Sequence, residues 1–214
     1  MDNREVIETT VNNMKSLYKD IGEIIQIIEE NMENQGFKPF GMDAACTWES
    51  SSSFKEANSW LSTYFSRAYC RDDISRRAVG FCIHLGGYSP AEQRKLERLS
   101  MKFPFLNISL LEQKEDFKRK DARERREVWD WVWGAGWYKD ETVKKRKIRN
   151  NLVFEEYEGG ARNLTYFVDL LALTKKETIQ RVIIEPMVKL YEGGENWIAS
   201  NKLPILPIKA SDED

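Results

Sequence analysis

Ala78-Val79-Gly80-Phe81-Cys82-Ile83-His84-Leu85, closed by Gly86-Gly87, is the stretch on which the fold turns. It is apolar at nearly every position, follows the turn-like Arg71-Asp72-Asp73 and ends at a glycine pair, which is the pattern of a buried strand. Immediately upstream the signals conflict. Ser53-Phe54-Lys55-Glu56 has the form of a capping box, and Ala57, Trp60, Leu61, Tyr64 and Phe65 have helical spacing. Trp60 to Tyr69, however, is rich in aromatic and hydroxylated residues that suit strands. The turn at Arg71–Asp73 favours two paired strands.

Working outward, Phe105–Leu111 reads as a further strand. Leu152–Tyr157 and Leu164–Leu173 read as two more around the turn Glu158-Gly159-Gly160. Ser89-Pro90-Ala91-Glu92 opens a short helix, with Ser as cap and Pro at its first position, carrying Leu96 and Leu99. Glu112 to Arg126 is so heavily charged that an exposed helix is expected. Thr174 or Thr178 opens a last helix whose stripe includes Val182, Ile183, Met187 and Leu190, with Pro186 expected to kink or shorten it. Strands cluster instead of alternating with helices. The fold class is therefore α+β: a mixed or mainly antiparallel sheet with helices packed on one face.

A long amphipathic helix precedes this core. Met14, Leu17, Ile21, Ile24, Ile28 and Met32, with Tyr18 and Ile25 beside them, recur in steps of three and four. Asp2 or Asn3 stands where a cap belongs and Gly36 just past the end. Residues 1–36 are thus either part of the main domain or an association element, 37–203 form the α+β core, and 204–214 form a loose acidic tail. The stripe predicts self-association through Met14–Met32, parallel or antiparallel, with Ile21 and Ile28 near the centre.

Of the 214 residues, 41% are apolar and 32% charged, with seven Trp, eight Tyr and ten Phe. That is enough apolar surface for a packed core and too much for a disordered chain. The net charge of −2 attracts neither nucleic acid nor an acidic membrane globally. Cys46, Cys70 and Cys82 form no CxxC pair and are odd in number, which points to buried thiols in a reducing compartment. No signal peptide or 18-residue apolar window is present, so a cytoplasmic protein with no membrane partner is expected.

The residues with chemical potential are few. His84 is the single histidine, which excludes every site needing two. Cys82 and His84 lie two apart on one strand and hence share a face, the geometry of a nucleophile and base or of a core cysteine beside a core histidine. No phosphate loop or dinucleotide fingerprint occurs, and the glycine pairs stand at element ends. Glu112-Gln113-Lys114 directly follows a strand. With Asp73 or Asp72 as second carboxylate it has the form of a metal-dependent nuclease site, the carboxylates holding Mg²⁺ and Lys114 steadying water or phosphate. The plain alternative is a solvated face.

Lys118 to Arg149 is the least ordinary segment. It carries twelve Lys or Arg and six acids, a net +6 that leaves −8 for the rest of the chain. Among them are Lys118, Arg119, Arg123, Arg126, Lys144, Lys145 and Lys147, with Trp133 and Trp137 between the clusters. Cations neutralise phosphates and aromatic faces stack on unpaired bases, so the mixture suits single-stranded nucleic acid. It equally suits a charged element leading into a Trp-rich core. The sequence thus supports an interaction or regulatory domain first, a nucleic-acid binder second and a nuclease third.

Overall fold

The computed structural model describes residues 2–40, 64–86, 90–99, 101, 103–118, 128, 131–132, 134–136, 142–201 and 203–208. Helix α1 (Asn3–Asn34) is capped by the Asp2 carboxylate, which accepts from the Arg4 N–H. Gly36 ends it at φ +79°, a left-handed turn that glycine adopts without a Cβ clash. That turn throws Phe37 back onto the core.

Seven strands follow: β1 (Lys38–Pro39), β2 (Tyr64–Cys70), β3 (Ile74–His84), β4 (Phe105–Lys118), β5 (Val143–Arg149), β6 (Leu152–Tyr157) and β7 (Arg162–Asp169). They make one sheet in the order β1-β2-β3-β4-β7-β6-β5, and every pairing is antiparallel. The apolar run of Ala78–His84 is central, with β2 on one side and β4 on the other.

Helices cover both faces, where one covered face was expected. On the first face, Tyr69, Val79, Phe81, Ile83, Leu106, Ile108, Leu110, Tyr166 and Val168 pack against the second half of α1 and the C-terminal helices. On the second face, Val128 and Val132 pack against Ala68, Ala78 and Cys82, and helix α2 (Pro90–Arg98) sets Leu96 against Phe105, Val153 and Phe167. Two-sided burial is the physical reason that β3 is apolar without alternation.

The C-terminal helix, α3, runs α-helically over Lys176–Ile179, as a π turn over Gln180–Ile184, and α-helically again over Glu185–Tyr191. Pro186 does not shorten it, but the helix leaves α geometry for the π turn directly ahead of the proline. Proline has no N–H for the carbonyl four residues back, Val182. The buried Tyr166 hydroxyl donates to that carbonyl instead, at 2.9 Å. A last helix, α4 (Glu195–Ser200), follows.

Three further expectations are corrected. Glu112–Lys118 is strand and not helix, because its charges find partners across the ladder: Arg77 beside Glu112 and Arg76 beside Asp116. Strand β7 stops at Asp169, whose side chain accepts from the Leu171 N–H and turns the chain into a 3₁₀ turn at Leu170–Ala172. The described part of the tail is tied down: Ile205 bridges Val168, the Leu206 N–H bonds the Phe167 carbonyl, and Ile208 is buried. Among the described residues no helix is long and apolar enough to cross a membrane.

Candidate functional site

Glu112 sits on β4 directly opposite Arg77 of β3. The Arg77 guanidinium donates twice to one Glu112 oxygen, at 2.9 and 2.7 Å, and once to the Tyr191 carbonyl. The carboxylate is therefore committed to a structural ion pair. Lys114 is exposed and lies along the Gly160 turn. Asp73 precedes Ile74, whose partner is Lys118, six residues beyond Glu112. Arg77, the partner of Glu112, is four residues from Asp73, so at about 3.3 Å per strand residue Asp73 and Glu112 stand roughly 13 Å apart along the ladder. The fold does not bring the three nuclease candidates together. Among the described residues no group of three His, Cys, Asp or Glu could hold a metal ion.

The cysteine–histidine pair is closed as well. Cys82 and His84 share a face and are fully buried. The His84 ring stacks on Phe105, with centroids 4.5 Å apart, and its Nε2 lies 2.6 Å from Asn107 Oδ1. Burial drives its pKa down to about 3 against the opposing pull of that hydrogen bond, so the ring is neutral. Because Asn107 uses its amide nitrogen on Val132 O and Ser109 Oγ, its oxygen faces the histidine, and Nε2 carries the proton.

From His84 a line of polar side chains crosses the second face of the sheet, a feature the sequence reading did not foresee. Asn107 donates to Ser109, Ser109 meets Thr165 at 3.1 Å, Thr165 donates to Asn163, and Asn163 donates to Glu155 at 2.8 Å. Glu155 is fully buried. It also accepts from the Gly136 N–H, the Tyr157 hydroxyl and the Arg146 guanidinium. Burial, and then the Glu155 charge, push the Tyr157 phenol above its usual range. The line spans β3, β4, β7, β6 and β5, and through Val132 and Gly136 it clamps the Trp-rich stretch onto the sheet. It satisfies its own members, which marks it as a structural device.

The basic segment divides. Arg119, Arg123, Arg126, Trp133 and Trp137 lie outside the described residues. Val128, Trp131, Val132 and Gly134 are helical, and both valines are core. Lys118 is exposed at the end of β4. Lys144, Lys145 and Lys147 are exposed on β5, which sequence reading missed as a strand and which forms one edge of the sheet. Lys144 reaches Glu158 at 4.0 Å across open solvent. Lysines on an edge strand also deter edge-to-edge pairing, which is a sufficient structural reason for them.

Among the described residues, four of the six exposed large apolar side chains belong to α1. Its buried residues are Ile21, Ile25, Ile28 and Met32, so the part of the stripe expected at the centre of a dimer is committed to the chain's own core. This overturns a dimer centred on Ile21 and Ile28. Upstream the same seam continues in steps of four and three through Tyr18, Met14, Val11 and Ile7. Tyr18 touches the body, edge-on to Phe65 at 5.9 Å. Val11 is 43% exposed and Ile7 64%, with Leu17 and Val6 close behind at 40% and 39%. Residues 3–20 therefore extend along roughly 27 Å of helix, at 1.5 Å per residue, with apolar side chains in water. Val6, Ile7, Thr9, Thr10, Val11, Asn12 and Asn13 are weak helix formers, and no core packing supports them.

No protein-family model, curated protein or solved structure matches this chain.

Proposed function

We propose that this protein is an interaction domain whose α+β body presents the first half of α1 for pairing with a second copy. The observation that carries the reading is the continuous seam of α1. It is buried from Ile21 to Met32 and exposed over Ile7 and Val11, with Leu17 exposed beside it. Alternating three- and four-residue spacing is what lets two helices interlock, and a helix half without packing of its own gains most from it. The free seam is short, so an equilibrium at micromolar concentration or weaker is expected. Sedimentation equilibrium over a wide concentration range tests the reading. Wild type should self-associate. Val11→Glu should remain monomeric with an unchanged unfolding midpoint, because Val11 belongs to no core cluster. Ser16→Glu, on the opposite side of the helix, should behave as wild type. A wild-type monomer at every concentration refutes the reading.

A second reading is favoured by the exposed cations of β5. Lys145, Lys147 and Arg149 stand on one face of an edge strand, Lys144 is beside them, and Lys118 is exposed on β4. Binding of a single-stranded oligonucleotide that weakens steeply with salt, and is lost in Lys144→Glu/Lys145→Glu/Lys147→Glu, supports it. No binding at low salt removes it.

A further inference from the structure

We infer that the outer edge of β5 docks an extended acidic peptide, which joins the sheet as an added strand and sets its carboxylates on Lys145, Lys147 and Arg149. The inference is independent of self-association through α1. Among the described residues β5 pairs with β6 alone and so ends the sheet. Asn150 and Asn151, at φ +54° and +60°, form the two-residue turn between the two strands. Such a turn makes its flanking residues, Arg149 and Leu152, a hydrogen-bonded pair. By the alternation of an antiparallel ladder, Lys147 then bonds toward β6 while the main-chain N–H and C=O of Ile148 face away from it. Outward-facing groups on an edge strand are what an extended partner uses.

Charge selects the occupant. Lys145, Lys147 and Arg149 are exposed and stand on one face at alternate positions, about 7 Å apart. Across the ladder Lys145 faces Glu156, but Lys147 faces Phe154 and Arg149 faces Leu152. A strand laid along the outer side repeats the same two-residue period, so acids at every second position meet the cations. On the other face Ile148 is half-buried beside the cluster that holds Val153 and Ile208, which suits apolar residues at the intervening positions. The same cations turn away β5 of a second copy, because Lys and Arg would lie against Lys and Arg. A single-stranded nucleic acid is the less favoured occupant, since no aromatic ring is exposed among the described side chains to stack on a base.

The test uses the full chain and a fluorescein-labelled peptide of about ten residues that alternates Glu with Val and Thr, long enough to span β5. Fluorescence anisotropy at low salt should show binding. A peptide of the same composition with its acids gathered at one end should bind at least about tenfold more weakly, because it loses the match to alternate cations. Lys147→Glu/Arg149→Glu should lose affinity by a similar factor with an unchanged unfolding midpoint, since both side chains are exposed. The Ile148 amide should exchange its hydrogen more slowly once the alternating peptide is added, which a contact through side-chain charge alone would not produce. Val11→Glu should bind the peptide as wild type does, whatever the outcome for self-association. Equal binding of the two peptides, or an Ile148 amide that the alternating peptide does not protect, overturns strand addition. A single-stranded oligonucleotide that binds where neither peptide does assigns the edge to nucleic acid and overturns it as well.

Discussion

Acidification should destabilise this protein through one residue. His84 is neutral in the fold, its pKa lowered to about 3, whereas in the unfolded chain it takes the ordinary value near 6.5. Between those values the unfolded chain binds a proton that the folded chain does not, so stability falls as pH falls through 6.5 toward 3. At 1.36 kcal/mol per pH unit, integration gives a loss of about 1.4 kcal/mol between pH 7.5 and 5.5, and about 2.7 kcal/mol by pH 4.5. The chain has a single histidine, so no other side chain with an ordinary pKa titrates between pH 5.5 and 7. Urea unfolding followed by tryptophan fluorescence in half-unit pH steps measures the slope. The His84 ring proton shifts by NMR should stay flat down to at least pH 5. A midpoint independent of pH from 7.5 to 5.5, or a ring that titrates near 6.5 in the folded protein, refutes the reasoning. His84→Gln should abolish the slope while lowering stability at pH 7.5.

Two further outcomes follow from the buried polar groups. Glu155→Ala removes the partner of Arg146 and an acceptor for the Gly136 N–H, Asn163 and Tyr157. A loss of about 3–5 kcal/mol by urea unfolding is expected, since a buried charge is left unmatched. Tyr166→Phe leaves the Val182 carbonyl without its donor and should cost about 1–3 kcal/mol. Adding Pro186→Ala restores an N–H four residues on and should recover part of that loss, which separates the lost hydrogen bond from the lost hydroxyl.

Much of the architecture is legible because periodicity reports burial. The α+β class, the pairing of the strands ending at Cys70 and His84, and the long first helix all follow from spacing and turn residues. The misread parts are those where a charge is satisfied by a partner distant in sequence. Glu112–Lys118 looks like a solvated helix until Arg76 and Arg77 are set opposite it, and those arginines are 35 or more residues away. Strand β5, Val-Lys-Lys-Arg-Lys-Ile-Arg, hides its alternation because the inward position between Val143 and Ile148 is Arg146. Only Glu155, nine residues on and buried, makes an inward arginine possible. The seam of α1 was legible, but not the boundary between its covered and free parts, because local spacing does not say how far the body reaches.

The polar line under the Trp-rich stretch has the same origin and a wider consequence. Asn107-Ile108-Ser109-Leu110 and Asn163-Leu164-Thr165-Tyr166 alternate as strands with one wet face do. The face is instead dry, because the Val132 carbonyl and the Gly136 N–H supply what water would. Gly80 and Gly136 allow this approach. A Cβ on Gly80 would meet Val132 Cγ2 at 2.6 Å, and one on Gly136 would meet Thr165 Cβ at 2.9 Å. Sliding any strand by one residue would bury apolar side chains against these groups and break several bonds at once, so the line fixes strand register as well as the docking of the Trp-rich segment. The described part of that segment is accordingly committed to the core. Among the described residues, two surfaces considered for partners are the cations of β5 and the exposed first part of α1. Of these, only the seam exposes apolar side chains, and the lysines of an edge strand already have a structural reason to be there.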